Sequence, residues 1–198
     1  CAGANPLSTG KAYSDGEVQA QPHARQSDKT MLTEAIELTL FPGMMAFAAS
    51  SDLLTMTIAN RVSLILIAGF VVLALLSGMT GAELLSHLGA GAVVLAVAFF
   101  CFACGWIGGG DAKLAAATAL WLGFSHLFDY LVYASLLGGA LTMLIVQFRA
   151  VPLPRLLTGQ DWAERLHQEG GGVPYGIALA AAALLVYPQT QWMPTLSL

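Results

Sequence analysis

The sequence predicts an all-α, polytopic membrane fold of about six transmembrane helices, and three observations carry that prediction. Hydrophobic residues make up 57% of the 198 and charged residues only 10%, where a soluble globular domain carries about 25% charged residues. Mean hydropathy is +0.70, so lipid rather than water is the expected solvent for much of the surface. Between Val62 and Phe148 the only charged side chains are Glu83, Asp111, Lys113 and Asp129, too few to solvate the outside of a water-soluble fold. The same composition excludes disorder of the whole chain, collagen-like repeats and a disulfide scaffold. A net charge of −4 without a basic stripe argues against nucleic acid as a partner.

The helices follow from apolar runs of about 15 to 22 residues, near the ~20 needed to cross a bilayer. The first runs from about Glu34 to Asn60, the second from Val62 to Met79, and the third from His87 to Ile107. The fourth, Ala112 to Phe124, is short and Ala-rich; the fifth is Leu127 to Phe148 and the sixth Val173 to Tyr187. These place a membrane domain over residues 34–190, with a short tail at 191–198. Residues 1–33 form a polar head rich in Ala, Gly, Ser, Gln and Asp with no apolar periodicity. It lacks the charged and apolar regions of a signal peptide, reads as disordered, and carries no assigned function. Cys1 in place of an initiator Met reads as a truncated chain or an over-extended reading frame rather than a lipoprotein N-terminus.

Orientation follows from loop charge. With six spans, loops one, three and five carry Arg61, Lys113, and the trio Arg149, Arg155 and Arg165, whereas loops two and four (Gly78–Ser86 and Ser125–Leu127) carry no Lys or Arg. The positive-inside rule then puts the odd loops in the cytoplasm. Asp52, near the inner end of span one, and Asp111, between spans three and four, therefore meet the same cytoplasmic membrane boundary.

Acidic side chains at membrane depth are costly and mark function. Two carboxylates close together in an apolar site resist ionising together, so they share a proton and titrate as a unit. One can then act as base on a water while its partner donates to a scissile carbonyl, as in aspartic proteases, with no metal, serine or cofactor. The three glycines Gly108–Gly110 before Asp111 allow close approach of backbone or substrate, though glycines are also common at helix ends. On these residues alone an aspartic peptidase and a proton- or cation-coupled transporter weigh about equally.

The combined pattern is more specific. The segment from Ser51-Asp52 to Ile58-Ala59-Asn60-Arg61 resembles the first active-site segment of type IV prepilin peptidases, an Asp followed six to eight residues later by Ile-Pro-Asn. Gly108-Gly109-Gly110-Asp111-Ala112-Lys113 is similar to the family's Gly-x-Gly-Asp-x-Lys, and Val173-Pro174-Tyr175-Gly176 to its late Pro-x-Gly-type segment. Order and spacing agree over about residues 35–190. Ala59 departs from the pattern, standing where the family usually has Pro, which should loosen the turn after span one. Presenilin-type proteases share a Gly-x-Gly-Asp segment, but the Asp52 segment and Pro174–Gly176 look more like the prepilin group.

The resemblance implies catalytic roles for Asp52 and Asp111, with Gly108, Gly110, Lys113 and Asn60 in support, and neither metal nor cofactor. It implies a prepilin substrate, with a short basic leader and one hydrophobic helix, cleaved at the cytoplasmic face of a bacterial inner membrane. Large members carry an insertion with paired CxxC motifs and also methylate the new N-terminus. This chain has only Cys1, Cys101 and Cys104 and a short link between spans one and two, which points to a small, cleavage-only enzyme of the Flp/Tad pilus type.

Several residues have plainer readings. Lys113 could balance charge beside Asp111, or simply snorkel to the interface. Asn60 could bond the loop that positions Asp52, or cap a helix. Cys101 and Cys104 read as small packing residues, and no two histidines have ligand spacing. Asp129, beside Tyr130, is expected at the outer interface. Loop five, with Leu156, Asp161, Trp162, Glu164 and Arg165, has the pattern of a short amphipathic helix on the inner leaflet. Gly89, Gly91, Gly138 and Gly139 are expected to permit close helix packing.

Overall fold

The computed structural model describes residues 21–153, 159–168 and 170–193, with side chains from residue 35 onward. The described residues form helices without strands: α1 (Gln21–Thr55), α2 (Asn60–Leu76), α3 (Gly81–Ala103), α4 (Gly109–Ala150), α5 (Asp161–His167) and α6 (Tyr175–Val186), followed by a 3₁₀ turn at Tyr187–Gln189. Of these, α3 and α4 are long and apolar enough to cross a membrane, and α2 and α6 (with its 3₁₀ turn) are shorter apolar helices. Helix α1 begins well before the predicted start near Glu34. The polar head therefore divides, with residues 21–33 helical within α1 and residues 1–20 outside the described residues.

The predicted fourth and fifth spans are one element, α4, broken at Gly123. There φ is 63° and ψ −179°, a conformation open essentially only to glycine. The chain doubles back at this residue. Gly110, at the start of α4, packs against Ile58, whereas Gly123 packs against His87. Beyond the break, Gly138 meets Tyr175, and Arg149 bonds the carbonyls of Leu166, Gly171 and Gly172. Both termini of α4 thus lie at one end of the bundle and its break at the other. The sequence suggested a short loop at Ser125–Leu127; a single glycine makes the reversal instead.

The break is held by an aromatic plug. A helix end leaves carbonyls short of donors, and here side chains supply them. His87 Nδ1 lies 2.8 Å from the Leu120 oxygen, and Trp192 Nε1 donates to the Trp121 oxygen at 2.7 Å. Trp121 Nε1 in turn donates to the Leu66 carbonyl of α2 at 2.9 Å. Around them Phe41 stacks on Tyr187 (4.5 Å between ring centroids), while Trp121 packs against Phe41 at 5.1 Å and Trp192 at 5.4 Å. Tyr187 ties α6 to α1 through the Glu37 carbonyl, 2.6 Å away. Trp192, in the segment read as a short tail, is only 2% exposed.

Helix α3 starts on a capping box. Glu83 accepts from the Thr80 N–H, and Thr80 Oγ1 accepts from the Glu83 N–H. This arrangement satisfies donors at the helix start and accounts for one of the few charges in the apolar region. Helix α5 forms where loop five had an amphipathic pattern; Arg155 of that loop lies outside the described residues.

Candidate active site

The end of the bundle opposite the plug is built largely from backbone turns. Helix α1 stops at Thr55, and Met56 takes a left-handed φ of 53°. Ser51 Oγ reaches the Thr57 carbonyl at 2.9 Å, and Thr55 Oγ1 lies 2.8 Å from Thr57 Oγ1. These bonds fold residues 56–59 back beside the last turn of α1, which carries Asp52. Ile58 is thereby set between Gly110 and Gly176, where a Cβ on either glycine would meet it at 3.2 Å and 2.7 Å respectively.

Asp52 is 5% exposed. Its Oδ2 accepts the N–H of Gly176, in the first turn of α6, at 2.7 Å. A helix N-terminus has unpaired N–H groups, and this one is used by a carboxylate from another helix. Asp111 sits in the first turn of α4, three residues after the N-cap Gly108, the position from which an acidic side chain can turn back toward the unpaired N–H groups of a helix start. A Cβ on Gly108 would lie 3.0 Å from Asp111 Oδ2, so the glycine leaves the carboxylate room.

The two aspartates line one cavity of about 270 Å³, together with Ile58, Met56, Thr57 and Gly108–Gly110. They are close enough to interact electrostatically, and among the described residues no other titratable side chain lines this space. A shared cavity with two carboxylates, that of Asp52 pinned by a backbone N–H, can hold a water between an acid and a base.

The two acids and the glycines singled out in the sequence thus come together. Lys113 and Asn60 do not join them. The Lys113 ammonium donates to Asn60 Oδ1 at 2.9 Å, and both residues line a different cavity. Two residues along a helix is about 200° around it, so Lys113 cannot share the face of Asp111. Ala59, not Asn60, is the N-cap of α2, and no side chain caps that end.

Two contributions were not assigned from the sequence. The Gly176 N–H is the only described hydrogen bond to the Asp52 side chain, and its signal was the Pro174-Tyr175-Gly176 segment. Arg165 bonds the Leu54 carbonyl at 2.7 Å. With Arg149 on Leu166, Gly171 and Gly172, it ties the α5 connector down beside the end of α1.

A family model described as the type IV leader peptidase family matches residues 39–143, just over half of the chain and including both aspartates. No curated protein and no solved structure matches the sequence.

Proposed function

The chain belongs to the type IV leader peptidase family, and from that premise we propose that it is a membrane aspartic endopeptidase that removes the leader of type IV prepilins. The observation that carries this reading is the meeting of Asp52 and Asp111, from the ends of α1 and α4, in one cavity. One aspartate, ionised, takes a proton from the water as its oxygen adds to the scissile carbonyl carbon. The other, protonated, donates to the carbonyl oxygen. Collapse of the tetrahedral intermediate breaks the C–N bond as a proton passes to the leaving amine.

We further infer six membrane crossings: α1, α2, α3, the two arms of α4, and α6. Lys113, Arg149 and Arg165 lie at the aspartate end of the bundle, while the turn at 77–80 and the reversal at Gly123 carry no Lys or Arg. That asymmetry supports a cytoplasmic active site in a bacterial inner membrane, where a basic leader and an apolar helix adjoin. The link from Thr55 to Asn60 is too short for a zinc-binding insertion, which supports the small, cleavage-only Flp/Tad type.

Co-expression with Flp-type prepilins, read by the mass of the pilin, tests the proposal. Wild type should release the leader and leave an unmethylated N-terminus. Asp52→Asn and Asp111→Asn, which keep shape but remove the ionisable group, should each cut the rate at least about 10³-fold while accumulating normally. Normal cleavage by both variants would sink the dyad mechanism.

A further inference from the structure

We propose that the wedge between α2 and α3 is a binding site for an anionic phospholipid, with the headgroup on Lys113 and an acyl chain running up the wedge. This inference concerns a site separate from the aspartate cavity and stands whether or not the chain is a peptidase.

Helices α2 and α3 are joined by the short turn at 77–80 and meet at that end, where Phe70 packs on His87 at 5.4 Å. Toward the other end both lean on the first arm of α4 while scarcely touching each other. The result is a wedge of about 570 Å³, closed at the plug end and open at the aspartate end. Its walls are Leu64 and Ile67 of α2 and Leu88 and Leu95 of α3, and its floor is Ala116 and Ala117 of α4. The small floor residues keep it hollow.

At the open end stand Lys113 and Asn60. The ammonium gives one hydrogen bond, to Asn60 Oδ1, and pairs with no carboxylate among the described residues. A lysine has three donors, so it retains capacity for an anion. An apolar slot with one cation at its mouth is complementary to an amphiphile with an anionic head and a hydrocarbon tail, and basic pockets between membrane helices take lipid headgroups in this way.

The test uses the full chain in nanodiscs of equal phosphatidylglycerol and phosphatidylcholine, with retained lipid counted by native mass spectrometry. Wild type should keep one phosphatidylglycerol, enriched about fivefold over phosphatidylcholine, the selectivity expected from one well-placed lysine. Lys113→Gln should fall to parity, and Lys113→Arg should keep the enrichment, showing that the fold tolerates change there. Ala92→Phe, which fills the wedge from an exposed position and leaves the cation, should lower retention of both lipids. No enrichment in wild type, or undiminished enrichment in Lys113→Gln, overturns the proposal. So does a photo-crosslinker at Ala92 that captures a prepilin helix when no lipid is retained.

Discussion

The two ends of this bundle are built from the same helices by opposite means. At the Gly123 end, rings from α1, α2, α3, α4 and the segment after α6 fill the space between helices. At the Asp52 end, glycines, turn residues and backbone hydrogen bonds leave a hollow of about 270 Å³ around two carboxylates. Helices α1, α4 and α6 run through both. A site with so little packing of its own depends on precise helix placement, and the solid end supplies that placement from across the bundle. Changes at the plug should therefore act on stability, and changes at the hollow on turnover.

Replacing Asp52 or Asp111 by Asn has the largest expected effect, confined to turnover. Next is Trp192→Ala at the plug, which removes a buried ring and the donor to the Trp121 carbonyl. Such truncations cost about 3–5 kcal/mol in soluble cores. In lipid the transfer contribution is smaller, because helix association there rests on packing and hydrogen bonds, so about 3 kcal/mol is expected. Denaturation in detergent measures it. The rate per folded molecule at low temperature should stay within about twofold of wild type, and a larger fall in that rate would break the division between the two ends.

Gly176→Ala makes the complementary test at the hollow. A Cβ there would lie 2.8 Å from Asp52 Oδ2, 3.1 Å from Asp52 Cβ and 2.7 Å from Ile58 Cδ1. Ile58 can swing aside, but the carboxylate must leave its N–H bond. Misplacing a reacting group by about 1 Å costs on the order of 10²-fold in rate, so kcat should drop by about that factor, with KM and expression little changed. The double variant with Ile58→Ala separates the contacts. Recovery of activity there would mean that the defect acts through Ile58 rather than through the position of Asp52.

How far the sequence could be read follows the same division. Apolar runs mark every long helix, because hydropathy is a local property, and loop parity alone puts the two aspartates at one end. The site's glycines are visible beside Asp111. Gly91, against Leu120, and Gly138, against Tyr175, occupy close contacts as expected, while Gly139 faces open space. The bond from Gly176 to Asp52 joins residues far apart in sequence through a backbone group, so the Pro174-Tyr175-Gly176 segment marks the place but not the partner. Trp192 was hidden by polar neighbours, Gln189 to Gln191, which suggest a solvated tail, although the ring is drawn in by unpaired carbonyls at the α4 break. The reversal at Gly123 was displaced by a few residues because Phe124 continues the apolar run across it. Lys113 was within reach of helix geometry alone, since its two-residue offset from Asp111 turns it away from the dyad.

The smallest expected effect concerns Ala59, the residue between the hollow and α2 where the resembling segment usually has proline. Its backbone sits at φ −65° and ψ 138°. Proline fixes φ near −65°, and the extended ψ is one that proline also adopts at the start of a helix. Its N–H makes no described backbone hydrogen bond, so a ring there removes none of those. The turn is thus held in a proline-like shape without proline, by the Ser51 and Thr55 bonds to Thr57. Ala59→Pro should restrict the unfolded chain more than the folded one, raising stability by about 0.4–1 kcal/mol and leaving kcat unchanged. A rise in melting temperature with unaltered turnover would show that the turn is already formed in the native state. A gain in kcat would show instead that alanine leaves the wall of the aspartate cavity loose, and that the hollow end owes its shape to its own turns as well as to the plug across the bundle.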